Sequence, residues 1–157
     1  MPRIGVHRLQ HAHDLPLPER ATSGAAGFDL SAALVAKTPL TIRSRSWRAV
    51  PTGLVLMLPE GFEAQVRPRS GLAAKFGVTV LNAPGTIDAD YRGEVRVLLI
   101  NHGVEDFVIE HGMRVAQLVV QSLQDVVFED AELSLETERG AGGFGSTGVQ
   151  GRAEDRP

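Results

Sequence analysis

Cysteine is absent from this 157-residue chain, which excludes a disulfide framework and a zinc site built from thiolates. The sequence also lacks an apolar run long enough to span a bilayer, and its N-terminus lacks the apolar core of a signal peptide. The formal net charge is only −3 and both signs are mixed, so no global charge attracts nucleic acid or a membrane surface. We therefore expect a cytoplasmic protein with no nucleic-acid or membrane partner. Any phosphate ligand must then be bound by locally placed arginines.

Helical patterns are also scarce, and the length suits one domain with a sizeable core. Short segments rich in β-branched and apolar residues recur between Gly and Pro residues, a pattern typical of strands. Strands are expected at 4–10, 62–66, 104–109 and 113–121, with several short ones over 40–59 and one short helix over 72–76. This pattern predicts an all-β sandwich or barrel. Trp47, the only tryptophan, is expected to anchor the core or an interface.

The most informative stretch runs from Leu81 to Leu99 and reads LNAPGTIDADYRGEVRVLL. Its apolar flanks predict two strands, and the Pro and Gly residues between them predict a long hairpin. The bends of this hairpin carry Asn82, Asp88, Asp90 and Tyr91. A carboxylate there can act as a general base, and an Asn amide can both donate and accept on a nucleobase edge. Taken alone, the stretch favours the simpler interpretation that Asp88 and Asp90 only stabilise the turn.

Three further clusters carry polar groups beside apolar strands. Asp29 in AGFDL is either one exposed residue on a strand or a carboxylate directed at a hydrated Mg²⁺. Arg69 and Ser70 in RPRSG precede the helix candidate, where free N–H groups favour an anion, although a simple helix start with an exposed Arg has the same pattern. Gln117 interrupts an apolar run, and leaving its amide buried and unpaired would cost about 1–3 kcal/mol. It is therefore hydrogen-bonded in an interface or presented to a ligand.

The two ends of the chain are less regular. His11 and His13 would share a face of a strand and could bind a metal, but no third ligand is evident, so solvated loop histidines are favoured. Beyond Leu135 the chain is too rich in glycine to hold a fold, which predicts a mobile tail over 138–157 after a domain over 1–137. Within this tail, a Gly-rich segment with Arg139 and Phe144 can wrap phosphates and stack on a base. Taken alone, it is a flexible linker.

Five segments, in order, resemble the motifs of the trimeric dUTPase family, deoxyuridine 5′-triphosphate nucleotidohydrolases: AGFDL, PRSGLA, NAPGTIDADYRGEV, GMRVAQL and RGAGGFGSTG. They span residues 26–148. The resemblance implies a jelly-roll β fold of the β-clip type, assembled as a homotrimer with three active sites at subunit interfaces. It also implies Mg²⁺-dependent hydrolysis of dUTP to dUMP and pyrophosphate, which limits uracil incorporation into DNA and supplies dUMP for dTTP synthesis.

The same resemblance implies a role for each matching residue. Asp88 would deprotonate the water that attacks the α-phosphorus in line, and Tyr91 would lie under the deoxyribose and exclude a 2′-hydroxyl. Asp29 would contact the metal through water. Uracil would be read by Asn82 and groups around Thr86, Ile87 and Arg96, and phosphate oxygens would be held by Arg69, Ser70, Gly71 and Gln117. The tail would close over the nucleotide of another subunit through Arg139, Phe144, Gly145 and Ser146.

Two alternatives remain open at the level of sequence. A dCTP deaminase of the same superfamily, alone or bifunctional, would need a Glu placed for proton transfer at the pyrimidine, and Glu94 follows the hairpin turn. A non-catalytic nucleotide-binding trimer would use the same residues without turnover. Asp88, Asp29 and the complete tail together favour the hydrolase. Asp90 has no assigned role beyond bracing the hairpin.

Overall fold

A computed structural model of the chain describes residues 2–133, 137 and 140–143. In this part the chain forms antiparallel strands, one short α-helix and two single turns of 3₁₀-helix. None of the described helices is both long enough and apolar enough to cross a membrane. The strands are β1 (Gly5–Arg8), β2 (Phe28–Ser31), β3 (Leu40–Ile42), β4 (Trp47–Pro51), β5 (Leu54–Met57), β6 (Phe62–Arg67), β7 (Val78–Val80), β8 (Gly85–Ile87), β9 (Arg96–Asn101), β10 (Phe107–Ile109) and β11 (Arg114–Ser122). The helix α1 (Ser70–Phe76) lies between β6 and β7.

The strands of residues 1–125 form four sheets around one core. The largest has the order β2-β11-β6-β8, a second has the order β4-β9-β7, and β1 pairs with β5 and β3 with β10. Alternation along the strands explains the core. In β6, Ala64 and Val66 are buried. Glu63, Gln65 and Arg67 alternate with them and lie on the outer face. Fully burying an aliphatic side chain contributes about 1.5–3 kcal/mol, and the largest fully buried ones are Leu30, Ile42, Val50, Leu99 and Ile109.

Helix α1 begins directly after β6 and ends at a glycine. Gly77 has φ +67° and its N–H donates to the carbonyl oxygens of Ala73 and Leu72. A Cβ at Gly77 would lie 2.9 Å from the main-chain nitrogen of Gly103, so both the backbone angle and the space require glycine. This tight exit lets the chain return at once as β7, and it leaves Arg69 and Ser70 at the end of β6 beside β11.

The expected all-β class is confirmed, with a few corrections. The first strand is shorter than expected, because a 3₁₀ turn over Gln10–Ala12 follows Arg8. The strand expected over 104–109 begins only at Phe107. Trp47 is not a core residue, since 52% of its surface is exposed. Val50 of the same strand faces inward, and period two therefore turns Trp47 to the outside.

The chain divides into two units, residues 1–125 and residues 126–157. The first contains all eleven strands and α1. In the described part of the second unit, large apolar side chains are exposed: Val126 by 71%, Val127 by 92% and Phe128 by 97%. The boundary expected between a domain over 1–137 and a functional tail over 138–157 stays a prediction, because most of that tail lies outside the described residues.

Candidate active site

The predicted hairpin is present, with one addition. Strands β7 and β9 pair in the register Val80 to Leu99, and the N–H of Leu81 continues the pairing to the carbonyl oxygen of Leu98. Between them the chain leaves the hairpin, and residues 85–87 pair with β6 as the last strand of the other sheet. Strand β8 is therefore an edge strand, and alternate residues direct unpaired N–H and C=O groups away from β6.

A cavity of about 230 Å³ lies beside β8. Its polar lining comes from Asn82, Thr86, Tyr91, Glu94 and Arg96, and its apolar lining from Val66, Ile87, Val95 and Leu98 together with Gly85. Ligand pockets for drug-sized molecules are commonly about 300–1,000 Å³, so this one suits a single small ring system. Asn82 folds over Gly85, where a Cβ would lie 3.0 Å from the Asn82 Nδ2 atom. Its amide has no hydrogen-bond partner among the described residues and is available to a ligand.

Tyr91 forms one wall of this cavity. Its hydroxyl donates to the main-chain carbonyl oxygen of Glu94 at 3.1 Å, and 46% of the residue is exposed. The ring passes over Gly93, because a Cβ there would lie only 2.3 Å from the Tyr91 oxygen. The turn before it is held by the Tyr91 N–H, which donates to the carbonyl oxygen of Asp88 at 3.2 Å.

The side chains of Asp88 and Asp90 do not stabilise the turn by hydrogen bonds within the described residues. Both residues are exposed, and the turn is held by main-chain bonds and by Arg92, whose guanidinium donates to the carbonyl oxygen of Ala89 at 2.6 Å. The simpler interpretation of Asp88 as a turn residue therefore loses its physical basis. Asp88 directly follows β8, and its carboxylate makes no hydrogen bond within the described residues.

A second polar cluster lies on the outer face of the same sheet. Asp29, Gln117 and Arg67 are direct partners across β2, β11 and β6, so their side chains share one face. The Nε atom of Arg69 lies 3.3 Å from Asp29 Oδ1, and a guanidinium nitrogen of Arg114 lies 3.0 Å from Asp29 Oδ2. Arg69 also donates to the main-chain carbonyl oxygen of Arg114 at 3.1 Å. The carboxylate thus lies between two guanidinium groups.

The chemistry of Asp29 fits a hydrated magnesium ion. Its Oδ1 atom is buried and accepts no hydrogen bond from the described residues, although Arg69 Nε lies 3.3 Å away. A carboxylate oxygen with free lone pairs is the ligand type that Mg²⁺ prefers. The described residues contain no cluster of three His, Cys, Asp or Glu side chains able to hold a metal. A single carboxylate suits contact through the ion's own waters, as Mg²⁺ retains several of them.

The remaining expected phosphate ligands surround this carboxylate. Ser70 and Gly71 form the first turn of α1, whose N–H groups have no partner within the helix. Gln117 lies against Gly27, because a Cβ atom added at Gly27 would be 3.3 Å from the Gln117 Cβ atom. No hydrogen bond to the Gln117 amide is present among the described residues, so it is presented rather than buried. Arg114 was missed by sequence reasoning, although it lies in the GMRVAQL segment three residues before Gln117.

Sequence reasoning was wrong about His11. Instead of being solvated, its Nε2 atom lies 2.8 Å from Glu94 Oε1, and the two side chains are exposed by only 21% and 16%. His13 is exposed as expected and contacts the carbonyl oxygen of Arg8 at 3.0 Å. No local pattern joins His11 to a residue 83 positions away. Arg139, Phe144, Gly145 and Ser146, expected to close the site, lie outside the described residues.

The cavity and the Asp29 cluster occupy opposite edges of one sheet. The cavity lies along the free edge of β8, whereas Asp29 is on β2 at the other edge. Three strand spacings of about 4.8 Å separate these edge strands by roughly 14 Å. One chain therefore presents a small cavity and, apart from it, a cluster of two arginines and a carboxylate.

An all-β fold that combines such a pocket with an arginine and carboxylate cluster defines a nucleotide-binding β protein. The dUTPase family model matches residues 13–148. The deoxyuridine 5′-triphosphate nucleotidohydrolase of Mesorhizobium japonicum is 56% identical over 148 residues, covering 94% of this chain and 92% of that protein. The enzyme of the same name from Methylocella silvestris is 56% identical over 153 residues, covering 98% and 96%. The chain belongs to the dUTPase family, which confirms the resemblance seen in its motifs.

Solved structures confirm the jelly-roll fold. A mutant dUTPase of Staphylococcus bacteriophage 80alpha, solved with dUpNHpp, superposes with a TM-score of 0.82 at 24% identity, covering 95% of this chain and 100% of that one. A mutant dUTPase of phage phi11 of S. aureus, described as coordinating a structural Mg(II) ion, gives a TM-score of 0.72 at 21% identity, covering 84% and 98%. At these identities the likeness concerns the fold.

Proposed function

We propose that this protein hydrolyses dUTP to dUMP and pyrophosphate, with Mg²⁺ as cofactor. The observation that carries the proposal is the position of Asp88, an exposed carboxylate without a partner among the described residues, directly after the edge strand that borders a base-sized cavity. Family membership supports the substrate, since the curated relatives bear the name of this activity. The function also accounts for the arginine and carboxylate cluster, which suits a triphosphate.

Uracil binding uses the free edge of β8. Main-chain N–H and C=O groups around Thr86 and Ile87 pair with the pyrimidine edge much as a further strand would. The Asn82 amide supplies a donor and an acceptor beside them. The cavity of about 230 Å³ is small enough for the additional methyl group of thymine to be excluded by contact with its walls. Arg96, an exposed residue of the lining, borders the same space.

Hydrolysis requires a positioned water and an acceptor for its proton. Asp88 accepts that proton as the water attacks the α-phosphorus in line with the pyrophosphate leaving group. General-base help of this kind contributes about 10²–10⁴-fold in rate, and the rest comes from positioning and charge neutralisation. Tyr91 lies under the deoxyribose, where its ring leaves no room for a 2′-hydroxyl.

The triphosphate is bound by the Asp29 cluster. Arg69 supplies a planar, permanently charged fork, the Gln117 amide donates, and Ser70 and Gly71 offer first-turn N–H groups. When bound, Mg²⁺ neutralises charge on the phosphate oxygens and orients them. Asp29, whose Oδ1 atom accepts no hydrogen bond from the described residues, would hold the ion through its waters.

The active unit is proposed to be a homotrimer. Because pocket and phosphate cluster lie at opposite edges of one sheet, a nucleotide is better bound between the pocket of one copy and the cluster of another. Exposed apolar residues support association, among them Trp47, Val127 and Phe128. Arg139, Phe144, Gly145 and Ser146 of a further copy then close over the nucleotide, and closure excludes water. A cytoplasmic location is proposed with it, because a highly charged substrate does not cross a membrane unaided.

The test is pyrophosphate release from dUTP, dCTP, dTTP and UTP with Mg²⁺, together with identification of the base in each product. Rapid release from dUTP alone supports the proposal. Conversion of dCTP to a uracil nucleotide would favour the deaminase, although both Glu94 oxygens already accept hydrogen bonds from His11, Gly53 and Arg96. Binding of dUTP without turnover of any nucleotide would favour a binding protein.

A further inference from the structure

Glu94 is the most heavily bonded side chain of the pocket lining. Its Oε1 atom accepts hydrogen bonds from His11 Nε2 and from the main-chain N–H of Gly53, both at 2.8 Å. Its Oε2 atom accepts from Arg96 Nε at 3.3 Å. At 16% exposure, this carboxylate is held mainly by protein donors rather than by water. His11 is the one ring among these donors, and it comes from a distant segment.

Gly53 explains how the N-terminal segment reaches the pocket. Its φ is +65°, and a Cβ would lie 2.3 Å from the Ala12 Cβ and 3.3 Å from His11 Nε2. Its carbonyl oxygen accepts from the N–H of Leu9 at 2.8 Å, while its own N–H donates to Glu94. Only glycine allows the 3₁₀ turn over residues 10–12 to lie this close. The bonds from Leu9 to Gly53 and from Gly53 to the Glu94 carboxylate thereby place His11 against Glu94.

The Glu94 main chain in turn carries the Tyr91 wall. The hydroxyl of Tyr91 donates to the Glu94 carbonyl oxygen, and the next residue, Val95, is bonded to Leu54 at 2.8 Å and to the Thr52 hydroxyl at 2.6 Å. These bonds hold the chain directly after Glu94, whereas the residue before Glu94 is Gly93. The side-chain bonds of Glu94 hold its carboxylate, which lines the same cavity as Tyr91.

We infer that His11 is a positioning residue for the nucleotide pocket, holding Glu94 so that Tyr91 stays in place under the sugar. The inference rests on the proposed function of this pocket. Without His11, one strong hydrogen bond to the carboxylate is lost and Glu94 can rotate toward the cavity. The freed carboxylate then crowds the Tyr91 ring, because both side chains line the same cavity. The consequence is a displaced Tyr91 ring and weaker discrimination against ribose, while Asp88 and the Asp29 cluster are untouched.

The experiment compares three variants of the full chain. His11→Phe removes the donor and retains a ring, His11→Gln retains an N–H near the position of Nε2, and His13→Phe is the matched control from the same segment. Since Tyr91 is the only tyrosine, ring-labelled tyrosine gives NMR signals from this residue alone. H11F is expected to shift or broaden these signals. It is expected to raise KM for dUTP about three- to tenfold, the size of one hydrogen bond's net contribution, with kcat little changed.

Discrimination gives a second readout, since the ratio of kcat/KM for UTP to that for dUTP is expected to rise in H11F. H11Q should restore most of the wild-type behaviour, and H13F should equal wild type. Unchanged Tyr91 signals and unchanged KM in a folded H11F protein would overturn the inference. If H11F does not fold, His11→Asn, whose amide is too short to reach Glu94, replaces it with the same expectations. If wild type does not hydrolyse dUTP, the proposed function fails, yet the Tyr91 signals still decide the role of His11.

Discussion

Tyr91 and Glu94 are joined across a segment of four residues, because the phenol of Tyr91 donates to the Glu94 carbonyl oxygen at 3.1 Å. The ring can lie there only because residue 93 has no side chain. A Cβ at Gly93 would be 2.3 Å from the Tyr91 oxygen and 2.5 Å from its Cζ atom. The position of the pocket wall therefore depends on one glycine.

Gly93→Ala should displace the Tyr91 ring while leaving the fold intact. Only the far end of a half-exposed side chain must move, so the free energy of unfolding should change by less than about 1 kcal/mol. KM for dUTP should rise and discrimination against UTP should fall, both measurable by steady-state kinetics. Gly24→Ala is the control, since a Cβ there meets nothing within 4 Å. Normal discrimination in G93A would mean that the Tyr91 ring does not contact the sugar.

Asp88→Asn should abolish hydrolysis and retain binding. The exposed carboxylate has no partner among the described residues, so its loss should not disturb the fold. A neutral amide cannot accept the proton of the attacking water, and the rate of dUMP formation should fall by about 10²–10⁴-fold. Calorimetric titration with a non-hydrolysable dUTP analogue checks binding. Asp90→Asn, two residues along the same turn, is the matched control. Unchanged turnover in D88N would exclude Asp88 as the base.

Asp29→Asn should raise the Mg²⁺ concentration needed for half-maximal activity, because the amide is a weaker ligand for the ion's waters. The same change also weakens the ion pairs with Arg69 and Arg114. Arg114→Met separates the two effects, since it removes one ion pair and keeps the carboxylate. An Mg²⁺ titration of activity that shifts in D29N alone supports the metal role. Equal curves for D29N and wild type would leave Asp29 as an ion-pair partner only.

The resemblance assigned Asp29 to the metal and Gln117 to the phosphate oxygens without placing the two residues relative to each other. Strand pairing brings them side by side. The role of residues 85–87 as a strand was hidden, because Pro84 and Gly85 are typical of a turn and only pairing with distant β6 gives the segment its conformation. The alternation that turns Trp47 outward was readable from Val50, an apolar residue three positions further along the same strand.

His11 shows why other contacts could not be read from the chain. Its bond to Glu94 spans 83 residues, and it depends on the left-handed conformation of Gly53 and on the absence of a side chain there. A glycine before a strand gives no indication of which segment packs on it. Contacts of this kind follow from the assembled sheets, whereas motif residues carry their chemistry in their type and spacing.

Asp14 offers a test of the charge balance in the N-terminal loop. Lys37 Nζ lies 2.6 Å from its carboxylate, and His111 Nε2 lies 3.2 Å away. His111 Nδ1 accepts from the Leu34 N–H at 3.0 Å, so Nε2 carries the hydrogen and donates to Asp14. The hydrogen bond from Lys37, with smaller help from the charge of Lys37, lowers the pKa of Asp14 below its ordinary value of 3.8.

Because the pKa of Asp14 is lower in the folded than in the unfolded chain, its charged form stabilises the fold above pH 3.8, and this contribution is lost as the pH falls through the lowered pKa. Asp14→Asn should therefore make the melting temperature depend less on pH below pH 3.8. Near neutral pH the melting temperature of D14N should differ from that of wild type by a small constant amount. The difference should be small and should shrink at about 1 M salt, since the carboxylate is 47% exposed and easily screened. Asp125→Asn, an exposed residue with no partner in the described part of the chain, is the control. Parallel melting curves for D14N and wild type between about pH 2 and 5 would show that the contacts with Lys37 and His111 contribute nothing to stability.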